Sequence, residues 1–292
     1  MTPIHVITET RCLGYSQRGH AERPERIVRT IEKLQSQNDV HILWDEPIDV
    51  PDEIILRAHS LTLLKRLEEP YDFDTDTPYY PGIHIYARRS VGGALVAMNY
   101  ALQGKPAFSL MRPPGHHATR NRCMGFCYLN SIAIATLEAA ARGIKRIAIF
   151  DFDAHHGNGT EEIVHNHPSI IYVSVHQSPC YPGTGIKNRE PNCYNFPMPP
   201  GCTREEYLQT LSNALGLVHD YAPELIAVSA GFDPYRYDPL TQLPLELEDF
   251  YWLGNQIQSF RIPTFSILEG GYSLDLPNLI LAYIKGLVSK AN

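Results

Sequence analysis

The stretch Ile147-Ala148-Ile149-Phe150-Asp151-Phe152-Asp153-Ala154-His155-His156-Gly157-Asn158-Gly159-Thr160 decides how the chain is read. Its apolar first half, after Lys145-Arg146, suits a parallel strand covered on both faces. Carboxylates and imidazoles then follow without a break. In extended chain, positions i, i+2 and i+4 point the same way, which puts Asp151, Asp153 and His155 on one side at the carboxyl end of the strand. Ligands of open α/β sheets bind at that edge. Gly157 and Gly159 allow a tight turn, and Asn158 or Thr160 can cap a helix beginning near Glu161. Mixed nitrogen and oxygen donors in this pattern suit zinc or another divalent transition metal. The alternative is a solvated charged loop, but carboxylates on a hydrophobic strand need compensation.

With 292 residues and 43% hydrophobic content, the chain can bury a large core. A net charge of −7 and the lack of any basic run argue against nucleic acid as a direct partner. Cysteines at 12, 123, 127, 180, 193 and 202 form no CxxC pair and are too sparse for a disulfide framework, which implies reduced thiols and a cytoplasmic setting. Met1 to Thr10 lacks the features of a signal peptide, and no window approaches a membrane span.

Elsewhere, Ile4 to Thr8 reads as a strand, and Ile27, Ile31 and Leu34 recur at helical spacing after Pro24. Val50 to Leu67 reads as two short helices divided at Ala58-His59-Ser60, with Ser60 as an N-cap. Tyr71 to Gly82 has the composition of a long surface loop, in which Asp76 is a candidate rim residue. A long helix, Ile83 to Gln103, carries Gly92-Gly93 inside it, a sign of close packing. Strands are expected at Pro106 to Leu110, Ile170 to Val175, Leu225 to Ser229 and Thr264 to Leu268, and helices at Asn130 to Arg142, Thr203 to Tyr221, Glu246 to Phe260 and Leu276 to Ser289. This alternation implies an α/β fold in one domain over 1–292, a mostly parallel sheet with helices on both faces.

Four strands end in reactive residues: His116 and His117, then Asp151, Asp153 and His155, then Asp233, then Tyr272. One site explains all four. Asp153, His155 and Asp233 supply three ligands and leave a position open, as a catalytic zinc site requires. His116 and His117 suit acid/base work near neutral pH, with Asp151 orienting one of them. Tyr272, after two glycines, offers a phenol to an oxyanion. A capping role for Asp233 and a core position for Tyr272 are the plain alternatives.

The chain resembles the histone deacetylase superfamily, zinc-dependent amidohydrolases that include acetylpolyamine deacetylases and share a three-layer αβα fold with arginases. The resemblance runs from His20-Ala21-Glu22-Arg23-Pro24-Glu25-Arg26 to Leu268-Glu269-Gly270-Gly271-Tyr272. Its most specific elements are Arg112-Pro113-Pro114-Gly115-His116-His117-Ala118, Asp151 to Thr160, Tyr181-Pro182-Gly183-Thr184-Gly185 and Ala230-Gly231-Phe232-Asp233. It implies one zinc on Asp153, His155 and Asp233, a tandem acid/base pair in His116 and His117, and Tyr272 polarising the acyl carbonyl. Gly125, Phe126 and Tyr181 would wall a narrow tunnel, with Leu243 near its mouth and Asp76 gripping substrate backbone at the rim. A potassium ion around Asp151, Asp153, His155 and Ser174 is a further implication of the family.

Departures from the family pattern also inform the reading. Asn158 stands where the class I type has an aspartate, so His117 lacks a carboxylate partner and its imidazolium is less favoured. Ala21 replaces a usual proline, and 186–194 is a short rim segment. Leu240 is apolar where a polyamine-selective relative carries an acidic gatekeeper, although Asp72, Asp74 and Asp76 offer charge nearby. The leading expectation is hydrolysis of the acetyl or longer acyl amide of a lysine side chain in a protein or peptide. An acetylpolyamine or other small acetylated amine is the alternative substrate. A metal-free binding module and a two-metal ureohydrolase fit the set of reactive residues less well. Zinc and ferrous iron both suit two carboxylates and one imidazole.

Overall fold

The structure is a computed structural model that describes residues 3–289. Its elements in chain order are β1 (Ile4–Ile7), α1 (Glu25–Ser36), β2 (Ile42–Asp45), α2 (Asp52–Ile55), α3 (Leu61–Arg66), α4 (Ile83–Leu102), β3 (Ala107–Ser109), α5 (Ser131–Ala141) and β4 (Ile147–Asp151). Then follow α6 (Asn158–Val164), β5 (Ile170–Gln177), β6 (Cys193–Met198), α7 (Arg204–Asp220), β7 (Leu225–Ala230), α8 (Leu247–Ser259), β8 (Thr264–Leu268) and α9 (Leu276–Leu287). The strands form one eight-stranded sheet in the order β2-β1-β3-β8-β7-β4-β5-β6. Every pairing is parallel.

Strand periodicity divides the core into two layers. On β4, Ala148 and Phe150 join Phe232, Tyr207 and Leu253 on one face, whereas Ile147 and Ile149 join Val91, Ile132 and Ile134 on the other. The result is the expected αβα sandwich, in which the central strands β3, β4, β5 and β7 are buried along their whole length because neither face meets water.

Two strands escaped the sequence reading, β2 and β6, and they are the two edges of the sheet. β2 alternates partly exposed positions, and β6 carries Asn195 and Pro197, residues that an edge tolerates and a central strand does not. The predicted split at residues 58–60 is present: Ser60 Oγ accepts the Leu63 amide at 3.2 Å and caps α3. The predicted close packing at Gly92 is present as well, since a Cβ there would lie 2.0 Å from the Ile48 carbonyl oxygen. The cap proposed for the helix near Glu161 is corrected. α6 starts at Asn158 behind Gly157, and neither side chain caps it. Asn158 Oδ1 instead faces His117 Nδ1 at 2.9 Å, while Thr160 Oγ1 lies 3.1 Å from Asn130 Nδ2.

Candidate active site and metal centre

The carboxyl ends of β3, β4, β7 and β8 lie side by side. The loops leaving them therefore meet. Asp153, His155 and Asp233 each present a donor atom to one point, with all three atoms within 4.8 Å of one another. His155 Nδ1 is 2.9 Å from Asp233 Oδ2 and 3.2 Å from Asp153 Oδ1. Each carboxylate is aimed by a backbone amide on its other oxygen: Ala154 N–H donates to Asp233 Oδ1 at 2.8 Å, and Gly270 N–H donates to Asp153 Oδ2 at 2.7 Å. That approach requires glycine, because a Cβ on Gly270 would stand 2.4 Å from Asp233 Oδ2 and 2.6 Å from Asp153 Oδ2.

Both aspartates are completely buried. Burial and the neighbouring Asp153 push the Asp233 carboxyl above the usual carboxylate range. Two buried carboxylates in contact are costly unless a cation joins them. Two oxygens and one imidazole nitrogen around a point that opens to a cavity match a three-ligand divalent site.

The loop after β3 brings His116 and His117 beside this cluster, with ring centroids 4.0 Å apart. His116 Nδ1 lies 3.2 Å from Asp151 Oδ2, and the same oxygen accepts the Tyr172 hydroxyl at 2.9 Å. Burial opposes charge on His116, but the carboxylates of Asp153, Asp151 and Glu269 outweigh it and raise its pKa to about 10. His117 Nδ1 meets only the amide oxygen of Asn158. Burial, with His116 and His155 nearby, drives its pKa well below the ordinary imidazole value. The amide oxygen can only accept, so Nδ1 of His117 carries the hydrogen and Nε2 keeps a lone pair.

Tyr272 lines the same cavity as both histidines. Its ring packs 5.8 Å from that of Phe126, and the Arg26 guanidinium lies 4.9 Å from its centroid. Arg26 Nε donates to Gly271 O at 2.8 Å and Nη2 donates to the Glu269 carbonyl, which holds the backbone on both sides of Gly270. A cavity of about 280 Å³ opens above the cluster, walled by His116, His117, Gly125, Phe126, Tyr181 and Tyr272, with Asp76 and Leu240 among its lining residues.

Leu243 does not reach this cavity. It is 2% exposed and belongs to the core with Leu245 and Phe250. Asp238 Oδ1 accepts the Leu240 amide at 2.9 Å and Thr241 Oγ1 donates to the Asp233 carbonyl, a turn that directs Leu240 outward and sends Leu243 inward. Ser174 pairs with Asp151 across β4 and β5, and its hydroxyl lies 2.8 Å from His176 Nδ1. Cys180 also lines the cavity, and Glu269 lies under the histidine loop. Sequence reasoning gave neither a role, since a lone cysteine and a lone glutamate carry no spacing signal.

Fold and site together define an α/β protein with a candidate metal centre at the carboxyl edge of a parallel sheet, facing paired imidazoles and a phenol. The chain belongs to the histone deacetylase domain family, matched over residues 20–287. It is 38% identical over 290 residues to a probable deacetylase of Methanothermobacter thermautotrophicus, covering 94% of this chain and 87% of that one. Among solved structures it is similar to the HDA15 HD domain, with a TM-score of 0.93 at 28% identity over 98% of this chain and 91% of that one. It is also similar to an acetylpolyamine aminohydrolase from Burkholderia pseudomallei, with a TM-score of 0.90 at 27% identity over 97% and 98%. Membership supports hydrolysis as the reaction class. No helix among the described residues is long and apolar enough to cross a membrane.

Proposed function

We propose that this protein hydrolyses the acetyl amide of N-ε-acetyl-lysine in a peptide or protein, with zinc on Asp153, His155 and Asp233. The observation that carries the reading is the convergence of those three donors at the foot of a narrow cavity also lined by His116, His117 and Tyr272. A divalent ion held there supplies Lewis-acid polarisation of the carbonyl and lowers the pKa of a water.

The chain's own residues do the rest. Neutral His117 takes the proton of the attacking water at Nε2 and passes it to the departing amine. His116, held as an imidazolium by the carboxylates of Asp153, Asp151 and Glu269, contributes positive charge beside the developing oxyanion, and Tyr272 donates its phenolic hydrogen to that oxygen. Phe126 and Tyr181 enclose the alkyl stem and exclude water. Asp76, exposed at the mouth, accepts from substrate backbone amides. The pairing of Asp151 with Ser174 is where a potassium ion would bind.

Apolar Leu240 at the mouth, 41% exposed, favours a peptide over a polycation. A second reading, an acetylpolyamine as substrate, is supported by Asp76 on the same rim and by the Burkholderia structure. The test compares kcat/KM for acetate release from an acetyl-lysine peptide and from acetylspermidine, with metal content measured on the same preparation. A higher value for the peptide is expected. Release from acetylspermidine alone would establish the second reading, and release from neither would defeat both.

A further inference from the structure

Glu269 directly follows β8 and has a carboxylate that is 0% exposed and that, among the described residues, forms no ion pair. Such a group is expensive to bury, so its partners matter. Oε2 accepts the Gly115 amide at 2.7 Å and the His116 amide at 3.2 Å, and Oε1 accepts the Ser229 hydroxyl at 3.3 Å. Two of its three bonds therefore go to the one segment that carries both imidazoles. The carbonyl side of that segment is held differently: Thr160 N–H donates to His116 O at 3.0 Å, and Asn130 Nδ2 donates to Ala118 O at 3.1 Å. The amide side rests on Glu269. Burial outweighs the field of His116 and brings the Glu269 carboxyl to about 7, and Oε2 accepts in the ionised and the protonated form alike.

We propose that Glu269 is a positioning residue whose carboxylate clamps the amides of Gly115 and His116 and so sets the rings of His116 and His117 over the candidate metal centre. The inference rests on the reading given under Proposed function. The peptide between Gly115 and His116 fixes where the His116 side chain departs, and that side chain ends against Asp151 at 3.2 Å while His117 ends against Asn158 at 2.9 Å. Releasing the clamp lets the pair drift from its partners, and a displacement of about 1 Å in a catalytic group can cost about a hundredfold in rate.

The test compares E269A, E269Q and wild type by steady-state acetate release from an acetyl-lysine peptide, by zinc stoichiometry and by crystal structure. E269A is expected to lower kcat by about 10- to 100-fold with KM and zinc stoichiometry unchanged. E269Q, whose amide oxygen accepts from the same two N–H groups, is expected to retain most of the turnover. Wild-type kcat in E269A, loss of zinc from it, or equal impairment of E269A and E269Q would overturn the proposal. Should E269A fail to fold, E269D replaces it, since its carboxylate stops one methylene short of both amides, and a wild-type kcat there overturns the proposal as well. If the wild-type chain itself releases no acetate, the functional reading falls, and the crystal structures decide the positioning role alone: rings that stay in place in E269A refute it, and displaced rings support it.

Discussion

The two adjacent imidazoles of this site are pushed in opposite directions, His116 toward the charged form by the carboxylates of Asp153, Asp151 and Glu269 against its burial, and His117 toward the neutral form by burial beside His116 and His155. His116 faces a carboxylate oxygen of Asp151, and His117 faces an amide oxygen of Asn158. In the proposed mechanism the first serves as an imidazolium and the second as a neutral base, which would divide electrostatic from proton-transfer work. Asn158→Asp would give His117 a carboxylate of its own and raise its pKa, because an anion beside Nδ1 favours the charged ring. A base must be neutral to act, so the acidic limb of the kcat/KM profile is expected to move to higher pH, and an unmoved limb would remove His117 from the role of base. Tyr272→Phe should lower kcat by about 10²–10³-fold, the usual effect of deleting one oxyanion donor, with metal content unchanged. Turnover retained in that variant would assign the oxyanion to other donors. Leu240 and Leu243 mark where residue-level reading fails. Both are leucines in one loop, and only the turn built by Asp238 and Thr241 decides which faces the cavity.

Among the elements, β4, β5, β7 and β8 were legible because a strand buried on both faces is written as a mainly apolar run. The edge strands β2 and β6 were not, since a half-exposed strand interrupted by Asn195 or Pro197 has the composition of a loop. Helix α4 was legible to within a residue, and its glycine pair told more than its boundaries did. Gly92 lies against the backbone of Ile48, in the segment that joins β2 to α2, where no side chain can yield. Gly92→Ala is therefore expected to destabilise the fold by about 1–3 kcal/mol, as overpacking typically does, despite the better helix propensity of alanine. Thermal unfolding measures this, and a raised Tm would mean that α4 and the 46–51 segment move apart freely.

At the scale of the whole molecule, the residues of the candidate site were legible because four strand ends each carry a reactive residue. The scaffold that aims them was not. It is made of single buried polar groups scattered through the chain, and His59 is one of them. It is fully buried between α2 and α3. Its Nδ1 lies 2.9 Å from Thr119 O, and its Nε2 accepts the Asn130 amide at 2.8 Å. That arrangement requires a neutral ring, and burial lowers its pKa to about 4 from an ordinary 6.5. Between those values the unfolded chain binds a proton that the folded chain refuses. The contribution is complete above pH 6.5, falls as the pH drops toward 4, and amounts to roughly 3 kcal/mol for a shift of this size. His116, raised to about 10, acts with the opposite sign but only between 6.5 and 10, and so cannot compensate. Glu269 and Asp238, both raised to about 7, do oppose it within the same window, which makes a difference measurement necessary. His59→Gln should be less stable than wild type near neutral pH, and the gap should close as the pH falls through the window. A gap that stays constant across those pH values would show that His59 is charged in the folded protein or exposed to water there.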